Sequence, residues 1–267
     1  MQPDKTMPVD KNALHVISLV SIGAHPTSGR PRRAEQDARA VELGLQLAGD
    51  NLHVLHAGNA DEPALRAYLG MGLSELHVLD QPEGADALPG LTDYIRESGV
   101  QLVLAGSQAE TGEGSGMLPY LLAEKLGWPL VVGMAEVESM NNGTAQVLQA
   151  LPRGQRRRLK VRLPFLATVD NAAPKPRQSA YGPAQRGVLD VEQIDVVIDE
   201  LFTGAELSPA KPRPKRLKVI KAKSGADRMK AATAKASGGG GQVLKGVSAQ
   251  EGAAAILKLL VDEGVVR

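Results

Sequence analysis

The sequence from residue 102 to residue 117 reads Leu-Val-Leu-Ala-Gly-Ser-Gln-Ala-Glu-Thr-Gly-Glu-Gly-Ser-Gly-Met. Its first four residues are apolar and have the length of a buried strand, and the turn that follows leads into a helix predicted for residues 117–126. Three alternating glycines, Gly112, Gly114 and Gly116, allow the backbone to adopt a positive φ and to approach a ligand closely. Because the first amides of a helix have no partner within the helix, the stretch predicts a site for a phosphate group.

The sequence before residue 130 repeats this alternation of strand and helix. Strands are predicted for residues 14–20, 52–56, 75–79 and 102–105, and helices for residues 34–48, 62–71, 88–98 and 117–126. The pattern predicts an α/β fold, doubly wound around a mainly parallel sheet, of the Rossmann-like type. Ligands of such sheets bind at the carboxyl ends of strands, where the glycine-rich loop begins.

Beyond Pro129 the pattern changes. Residues 147–151 and 156–162 predict a β-hairpin, residues 165–169 a further strand, and residues 171–187, rich in proline and small residues, an exposed loop. The basic segment 211–223 and the four glycines 238–241 predict a flexible tether, and residues 248–263 predict an amphipathic helix that begins with a capping box. The sequence therefore predicts a nucleotide-binding domain over residues 14–200 and, over residues 201–267, a tether with a helical arm that docks on a partner subunit.

The composition argues against several classes of function. The net charge of +1 provides no general attraction for nucleic acid or for an anionic membrane, and the arginines at 156–158 have no interleaved aromatic residues on which bases could stack. The absence of cysteine excludes disulfides and thiolate chemistry. His53 and His56 are three residues apart on a predicted strand and face opposite sides, so no metal site is expected there. A polar start and the lack of a long apolar run predict a cytoplasmic protein that is not an integral membrane protein.

Several motifs occur in a characteristic order along the chain. They are His-Ala-Gly-Asn at 56–59, Ala-Tyr-Leu-Gly-Met-Gly at 67–72, Leu-Val-Leu-Ala-Gly-Ser-Gln-Ala at 102–109, Ala-Glu-Lys-Leu-Gly-Trp-Pro at 123–129, Leu-Lys-Val-Arg-Leu-Pro-Phe-Leu-Ala-Thr-Val-Asp at 159–170 and Pro-Arg at 176–177. In this order the chain resembles the beta subunit of electron transfer flavoprotein. The resemblance covers residues 14–200 and resumes at about residue 245.

The resemblance implies a heterodimer in which an alpha subunit holds the FAD that carries electrons, while the beta subunit binds a structural AMP and has no catalytic residues of its own. Electrons would pass from a flavin-dependent dehydrogenase to a quinone oxidoreductase and the respiratory quinone pool. The start of the first predicted helix, residues 34–37, also belongs to the implied nucleotide site. The other implied site residues are Leu19, Ser21, Ala57, Gly106, Ser107, Gln108, Ala109, Gly112, Gly114, Ser115, Gly116 and Met117.

The chain also departs from the family pattern. Glu110 and Glu113 in the loop would repel a phosphate unless they face solvent or meet an arginine. In the partner-recognition loop, Tyr181 stands near the position of the family's apolar anchor, with Arg186 as the nearby positive charge. This difference predicts a donor other than an acyl-CoA dehydrogenase, such as an amine or N-methyl-amino-acid dehydrogenase. His25 either approaches the alpha-subunit flavin or is an ordinary surface histidine.

Two alternatives stay open at the level of the sequence. The same fold supports stand-alone ATP- or AMP-binding proteins and ATP-using enzymes, although the loop lacks the lysine and the Gly-Lys-Ser/Thr ending that phosphoryl transfer needs. The nucleotide of the beta site is either AMP or a second FAD.

Overall fold

The computed structural model describes residues 14–141, 143–206, 208, 224–227, 229 and 244–262. The chain divides between residues 207 and 208 into two units. The predicted tether segments, residues 211–223 and 238–241, lie outside the described residues. No helix within the described ranges is long and apolar enough to cross a membrane.

The first unit contains all the described strands and all but one of the helices labelled here. The strands are β1 (Val16–Val20), β2 (Ile22–Ala24), β3 (Pro31–Arg33), β4 (Leu52–Gly58), β5 (Glu75–Asp80), β6 (Leu102–Gly106), β7 (Leu130–Val131), β8 (Met134–Asn141), β9 (Thr144–Ala150), β10 (Arg156–Arg162), β11 (Phe165–Val169) and β12 (Val188–Gln193). The helices are α1 (Glu35–Ala48), α2 (Arg66–Leu69), α3 (Ala87–Ser98), α4 (Leu118–Leu126), α5 (Tyr181–Arg186) and α6 (Glu200–Thr203).

A seven-stranded sheet forms the centre of this unit, in the order β12-β5-β4-β1-β6-β11-β7, and each pair of neighbouring strands in it is parallel. Alternate residues of β1 enter different hydrophobic clusters, with Val16 and Val20 in one and Ile17 and Leu19 in the other. The sheet is therefore covered on both faces, as parallel sheets require. The predicted doubly wound α/β fold is confirmed.

The antiparallel regions are larger than the sequence predicted. The hairpin of β9 and β10 is confirmed, but β8 adds a third strand to it, and β2 and β3 form a separate two-stranded hairpin. Strand β12 at the sheet edge was also not predicted, because its residues are mostly exposed and its apolar residues do not form a continuous run like those of the central strands. The expectation of a loop throughout residues 171–187 was wrong at its end, where α5 forms and buries Ala184.

In the second unit, the described residues include the helix α7 (Ala249–Asp262). The Ser248 amide donates to Glu251 Oε2 at 2.8 Å, and the Glu251 amide donates to Ser248 Oγ at 3.3 Å. These reciprocal bonds are the capping box that the sequence predicted.

Helix α1 is attached to the segment after β11 by an ion pair. Two nitrogens of the Arg177 guanidinium donate to the Glu42 carboxylate, Nε to Oε2 at 2.7 Å and Nη2 to Oε1 at 3.0 Å. The side chain of Glu42 is only 9% exposed, and the Arg177 hydrogen bonds hold its pKa below the usual range. Because the folded-state pKa is lowered, this contribution to stability is present at neutral pH and is lost as the pH falls through that pKa.

We expect Arg177→Ala to lower the free energy of unfolding by about 1–3 kcal/mol at pH 7, because a buried carboxylate loses both guanidinium donors and keeps Gln46 and the backbone amide of residue 177. Urea denaturation of the variant and the wild type measures this difference, and the difference should begin to shrink once the pH falls below 4.5, the ordinary pKa of the carboxyl. Lys175→Ala, an exposed cation in the same segment, is the control and should leave stability unchanged. Equal losses in the two variants would contradict a specific role for the pair.

Candidate functional site

The candidate site lies where the strand order of the central sheet reverses direction. From β1 the chain continues outward through β4 and β5, whereas β6 and β11 lie on the other side of β1. In open α/β sheets such a switch point leaves a crevice outside the carboxyl ends of the two central strands. Ser21 leaves β1 at this point, and the glycine-rich loop leaves β6.

Asp37, in the first turn of α1, holds these two strand ends together. Its Oδ2 accepts hydrogen bonds from the Ser21 amide at 2.7 Å and from Ser21 Oγ at 2.5 Å, and its Oδ1 accepts from the Gly106 amide at 3.1 Å. A Cβ atom on Gly106 would overlap Asp37 Oδ1, so only glycine allows this approach. The carboxylate thus connects the end of β1 to the end of β6.

Asp37 is buried, and burial raises its pKa to about 6. Hydrogen bonds from Ser21 and Gly106 favour the ionised form and limit the rise, while the negative charge of Glu110 adds to it. The carboxyl is therefore a group whose charge changes close to neutral pH at the centre of the candidate site.

Two further side chains fix the surroundings of Asp37. The fully buried Tyr68 donates its hydroxyl hydrogen to the Ser21 carbonyl at 2.8 Å and accepts from the Ala34 amide at 2.8 Å. Gln36 Oε1 accepts from Ser107 Oγ at 2.6 Å and from the Gln108 amide at 3.2 Å. The start of α1 and the start of the glycine-rich loop therefore form one hydrogen-bonded assembly.

Glu110 attaches the loop to the β2–β3 hairpin. It accepts hydrogen bonds from the Ala24 amide at 3.2 Å and from the Glu35 amide at 2.8 Å, and it forms an ion pair with Arg32 at 2.9 Å. Thr111 Oγ1 donates to the Ile22 carbonyl at 2.7 Å.

The sequence left two outcomes for the carboxylates of the loop, which were pairing with an arginine or exposure to solvent. Glu110 pairs with Arg32, and Glu113 is exposed.

The second half of the loop has the backbone that the glycine pattern predicted. Gly112, Gly114 and Gly116 have φ values of 69°, 60° and 73°. The Met117 amide donates to Ser115 Oγ at 3.2 Å. Within the described part of the chain, the amides of residues 114–116 and of Leu118 have no hydrogen-bond partner in the protein. These donors at the start of α4 can accommodate an anion.

Two adjoining cavities open beside the first half of the loop. One has a volume of about 340 Å³ and is lined by Glu35, Gln36, Gln108, Ala109, Glu110 and Asn171. The other, of about 530 Å³, is lined by Gln36, Ser107, Ala150, Leu151, Pro152, Arg156, Asp170, Asn171 and Ala172. Both volumes are within the range of small-ligand sites. The glycine-rich second half of the loop lines neither of these two cavities.

The structure brings most of the predicted site residues together around the switch point. Leu19 and Ala57 belong with Ala105 to one hydrophobic cluster on one face of the sheet, and Ser21 and residues 106–117 surround the crevice. Tyr181 and Arg186 are at the two ends of α5, and Tyr181 is 80% exposed.

The histidines are distributed as the strand geometry predicted. His53 is exposed, whereas His56 is buried with Nδ1 2.9 Å from the Val20 carbonyl, and burial lowers its pKa. His25 lies in the turn of the β2–β3 hairpin, where its Nδ1 accepts from the Ser28 amide at 3.2 Å.

Residue patterns did not reveal several of the polar contacts. Asp37 lies within residues 34–37, which the resemblance implied as part of the site. Its role as the link between two strand ends depends on Ser21 and Gly106, which are 16 and 69 positions away in the sequence. Tyr68 lies on α2 and Arg32 on β3, and only the tertiary fold brings these elements beside the loop. The one signal available was an acidic residue in the first turn of the helix after β1, which many helices share.

Comparisons with known proteins identify sequence relatives of the chain. The family described as electron transfer flavoprotein domain matches residues 32–197. Over 100% of both chains, the sequence is 58% identical to a protein of Chromohalobacter salexigens named electron transfer flavoprotein subunit beta.

Proposed function

Because the chain belongs to the electron transfer flavoprotein family as a beta subunit, we propose that it pairs with an FAD-carrying alpha subunit and holds an AMP in its own crevice. The family membership establishes an electron-transfer role and an alpha-subunit partner. The identity of the nucleotide and of the redox partners is the proposed part. The FAD of the alpha subunit supplies the electron-carrying chemistry, and this chain supplies binding and orientation.

The unpaired amides at residues 114–116 and at Leu118 are the single observation that carries the nucleotide proposal. They follow a strand end that Asp37 and Gln36 hold in place, and α4 adds the favourable end of its dipole. The N-cap residue of α4, Met117, forms no side-chain capping hydrogen bond. A phosphate monoester is the group that these neutral donors would bind without a metal ion.

The purine would lie on the apolar strand ends. Leu19, Ala57 and Ala105 share one cluster on the face of the sheet beside the loop, and Ala57 is half-buried rather than covered. Leu19 and Ala105 are buried, so the half-buried Ala57 would provide the apolar contact to an adenine ring. The residues of the site therefore fit an adenine nucleotide that stays bound.

Exposed apolar residues support docking of the alpha subunit. In the first unit they include Val196, Val197, Ile198 and the 89% exposed Leu201. In the second unit, α7 exposes Ile256, Leu257, Leu259 and Val261. Apolar side chains that are exposed to this extent commonly mark protein interfaces. We propose that residues 201–267 form the arm that embraces the alpha subunit, with the nucleotide-binding domain over residues 14–200.

Extraction of the bound nucleotide tests the proposal directly. The chain is co-expressed with its alpha subunit, the complex is denatured with acid, and the released nucleotides are identified by mass spectrometry. About one FAD and one AMP per heterodimer are expected. Two FAD molecules and no AMP would show that the nucleotide of this chain is a second flavin and would contradict the AMP assignment. A colourless monomer that binds ATP with magnesium would overturn the whole proposal.

Tyr181 is proposed to anchor the donor dehydrogenase. The tyrosine stands at the first position of α5, which is held by the buried Ala184 and by a hydrogen bond from Arg66 Nη1 to the Ala184 carbonyl at 3.1 Å. A rigid, exposed aromatic ring is the type of side chain that dominates interface energies. Arg186 at the other end of α5 adds a positive charge. An amine or N-methyl-amino-acid dehydrogenase is the proposed donor class, and a quinone oxidoreductase is the proposed acceptor.

We expect Tyr181→Ala to raise the apparent KM of the donor dehydrogenase for the heterodimer about tenfold, as the loss of an aromatic hot spot would. Flavin reduction by the donor, followed optically at increasing heterodimer concentration, gives this value. The thermal midpoint should not change, because the ring is 80% exposed. Tyr181→Phe keeps the ring and should behave like the wild type, and an unchanged KM in Tyr181→Ala would contradict the anchor role.

A further inference from the structure

A second cluster of chemically reactive side chains lies at the amino ends of the strands, away from the crevice. Glu75 and His77 are two residues apart on β5 and face the same side of the sheet, and Asp190 on β12 is the register partner of His77. One donor atom from each of the three lies within 4.8 Å of the other two. The closest approach is 2.8 Å, between His77 Nδ1 and Asp190 Oδ2.

A second imidazole stands on the same face. The rings of His53 on β4 and His77 have their centroids 5.9 Å apart. Two imidazoles bound to one tetrahedral ion, with Zn–N bonds of 2.0–2.1 Å, have ring centroids roughly 5 Å apart. His53 lies outside the cluster of three, and a rotation of its exposed side chain would be needed for it to act as a fourth ligand. An ion pair between His77 and Asp190 would account for the position of those two side chains. It would not account for the Glu75 carboxylate and the His53 imidazole beside them.

The surroundings allow an ion to enter and the ligands to adjust. Glu75, Asp190 and His53 are exposed and His77 is half-buried, so the side chains can rotate while their strands stay fixed by the β4–β5 and β5–β12 ladders. Imidazole nitrogen together with carboxylate oxygen is a donor set that Zn²⁺ accepts. The backbone thus supplies a rigid frame for a mixed nitrogen and oxygen site.

We propose that Glu75, His77 and Asp190, with His53 as the fourth ligand, form a binding site for a divalent transition-metal ion, for which Zn²⁺ is the best match. The site joins the edge strand β12 to β5 and β4. A bound ion would therefore stabilise the outer edge of the central sheet, because it binds the folded state and not the unfolded chain. The proposal does not depend on the nucleotide site.

Isothermal titration of the full-length chain with ZnCl₂ at pH 7.5, after treatment with EDTA and desalting, tests the site. One Zn²⁺ per chain is expected. Loss of even an outer-shell partner weakens metal binding by about 10–100-fold, so His77→Ala should weaken the affinity at least tenfold. Titration with Co²⁺ should produce visible absorption bands in the wild type that are lost in His77→Ala.

His25→Ala is the matched control, because it removes an exposed imidazole from the β2–β3 hairpin and leaves the cluster intact. It should bind Zn²⁺ like the wild type. If His77→Ala does not fold, as judged by circular dichroism, the exposed variants Glu75→Gln and Asp190→Asn carry the same test. Equal Zn²⁺ affinity and stoichiometry in the wild type and these variants, or no Zn²⁺ binding by the wild type, would overturn the proposal.

Discussion

Replacement of Gly116 by alanine is expected to reduce the AMP that copurifies with the heterodimer to less than about a tenth of the wild-type amount, a loss that corresponds to more than 1.4 kcal/mol of binding free energy. Gly116 has a φ of 73°, and a Cβ atom there would lie 2.8 Å from the Ser107 carbonyl oxygen. Ser107 cannot move aside easily, because its amide donates to the Val169 carbonyl at 3.1 Å and its hydroxyl donates to Gln36. The loop must therefore distort where its amides are unpaired.

Gly112→Ala separates the two causes of this effect. Gly112 has a φ of 69°, almost the same as that of Gly116, but a Cβ atom there would meet nothing within 4 Å. Both variants incur a left-handed backbone cost of about 1–2 kcal/mol, and only Gly116→Ala adds an overlap, for which overpacked sites lose about 1–3 kcal/mol. AMP content is measured after acid extraction and stability by urea denaturation. Equal behaviour of the two variants would show that the Ser107 contact does not matter.

Asp37 is expected to make the protein more stable as the pH falls from 7 toward 4. Burial raises its pKa from 3.8 to about 6, so the folded state binds a proton more readily than the unfolded chain between these values. Stability from this group is therefore present in full below 3.8 and is lost as the pH rises through about 6. A rise of about two units corresponds to about 3 kcal/mol.

Asp37→Asn removes this titration, so the difference in unfolding free energy between the wild type and the variant should change by on the order of 2–3 kcal/mol between pH 7 and pH 4. Urea denaturation across this range measures it. Stability is the better readout than AMP affinity, because a phosphate monoester also changes its charge near pH 6. Asp93→Asn, which removes an exposed carboxylate on α3, is the control. A pH-independent difference for Asp37→Asn would contradict a raised pKa.

Residue patterns were sufficient for the parts of the fold that depend on local chemistry. Apolar runs that alternate with helical segments predicted the parallel sheet, because a strand that is buried on both faces consists of consecutive apolar residues. The glycines at 112, 114 and 116 predicted a left-handed backbone, and the structure has it at all three. Strand β12 and the short helix α5 escaped prediction because an exposed edge strand and a six-residue helix owe their form to the neighbours they contact.

The sequence by itself determined the strands β1, β4, β5, β6 and β11, the glycine-rich turn and the capped C-terminal helix, because each follows from the periodicity or backbone freedom of neighbouring residues. Only the tertiary structure decided that Asp37 joins Ser21 to Gly106, that Arg32 neutralises Glu110, and that His77 faces Asp190. The partners in these contacts are up to 113 residues apart in the chain. Strand order and register bring them together, and neither can be obtained from local sequence patterns alone.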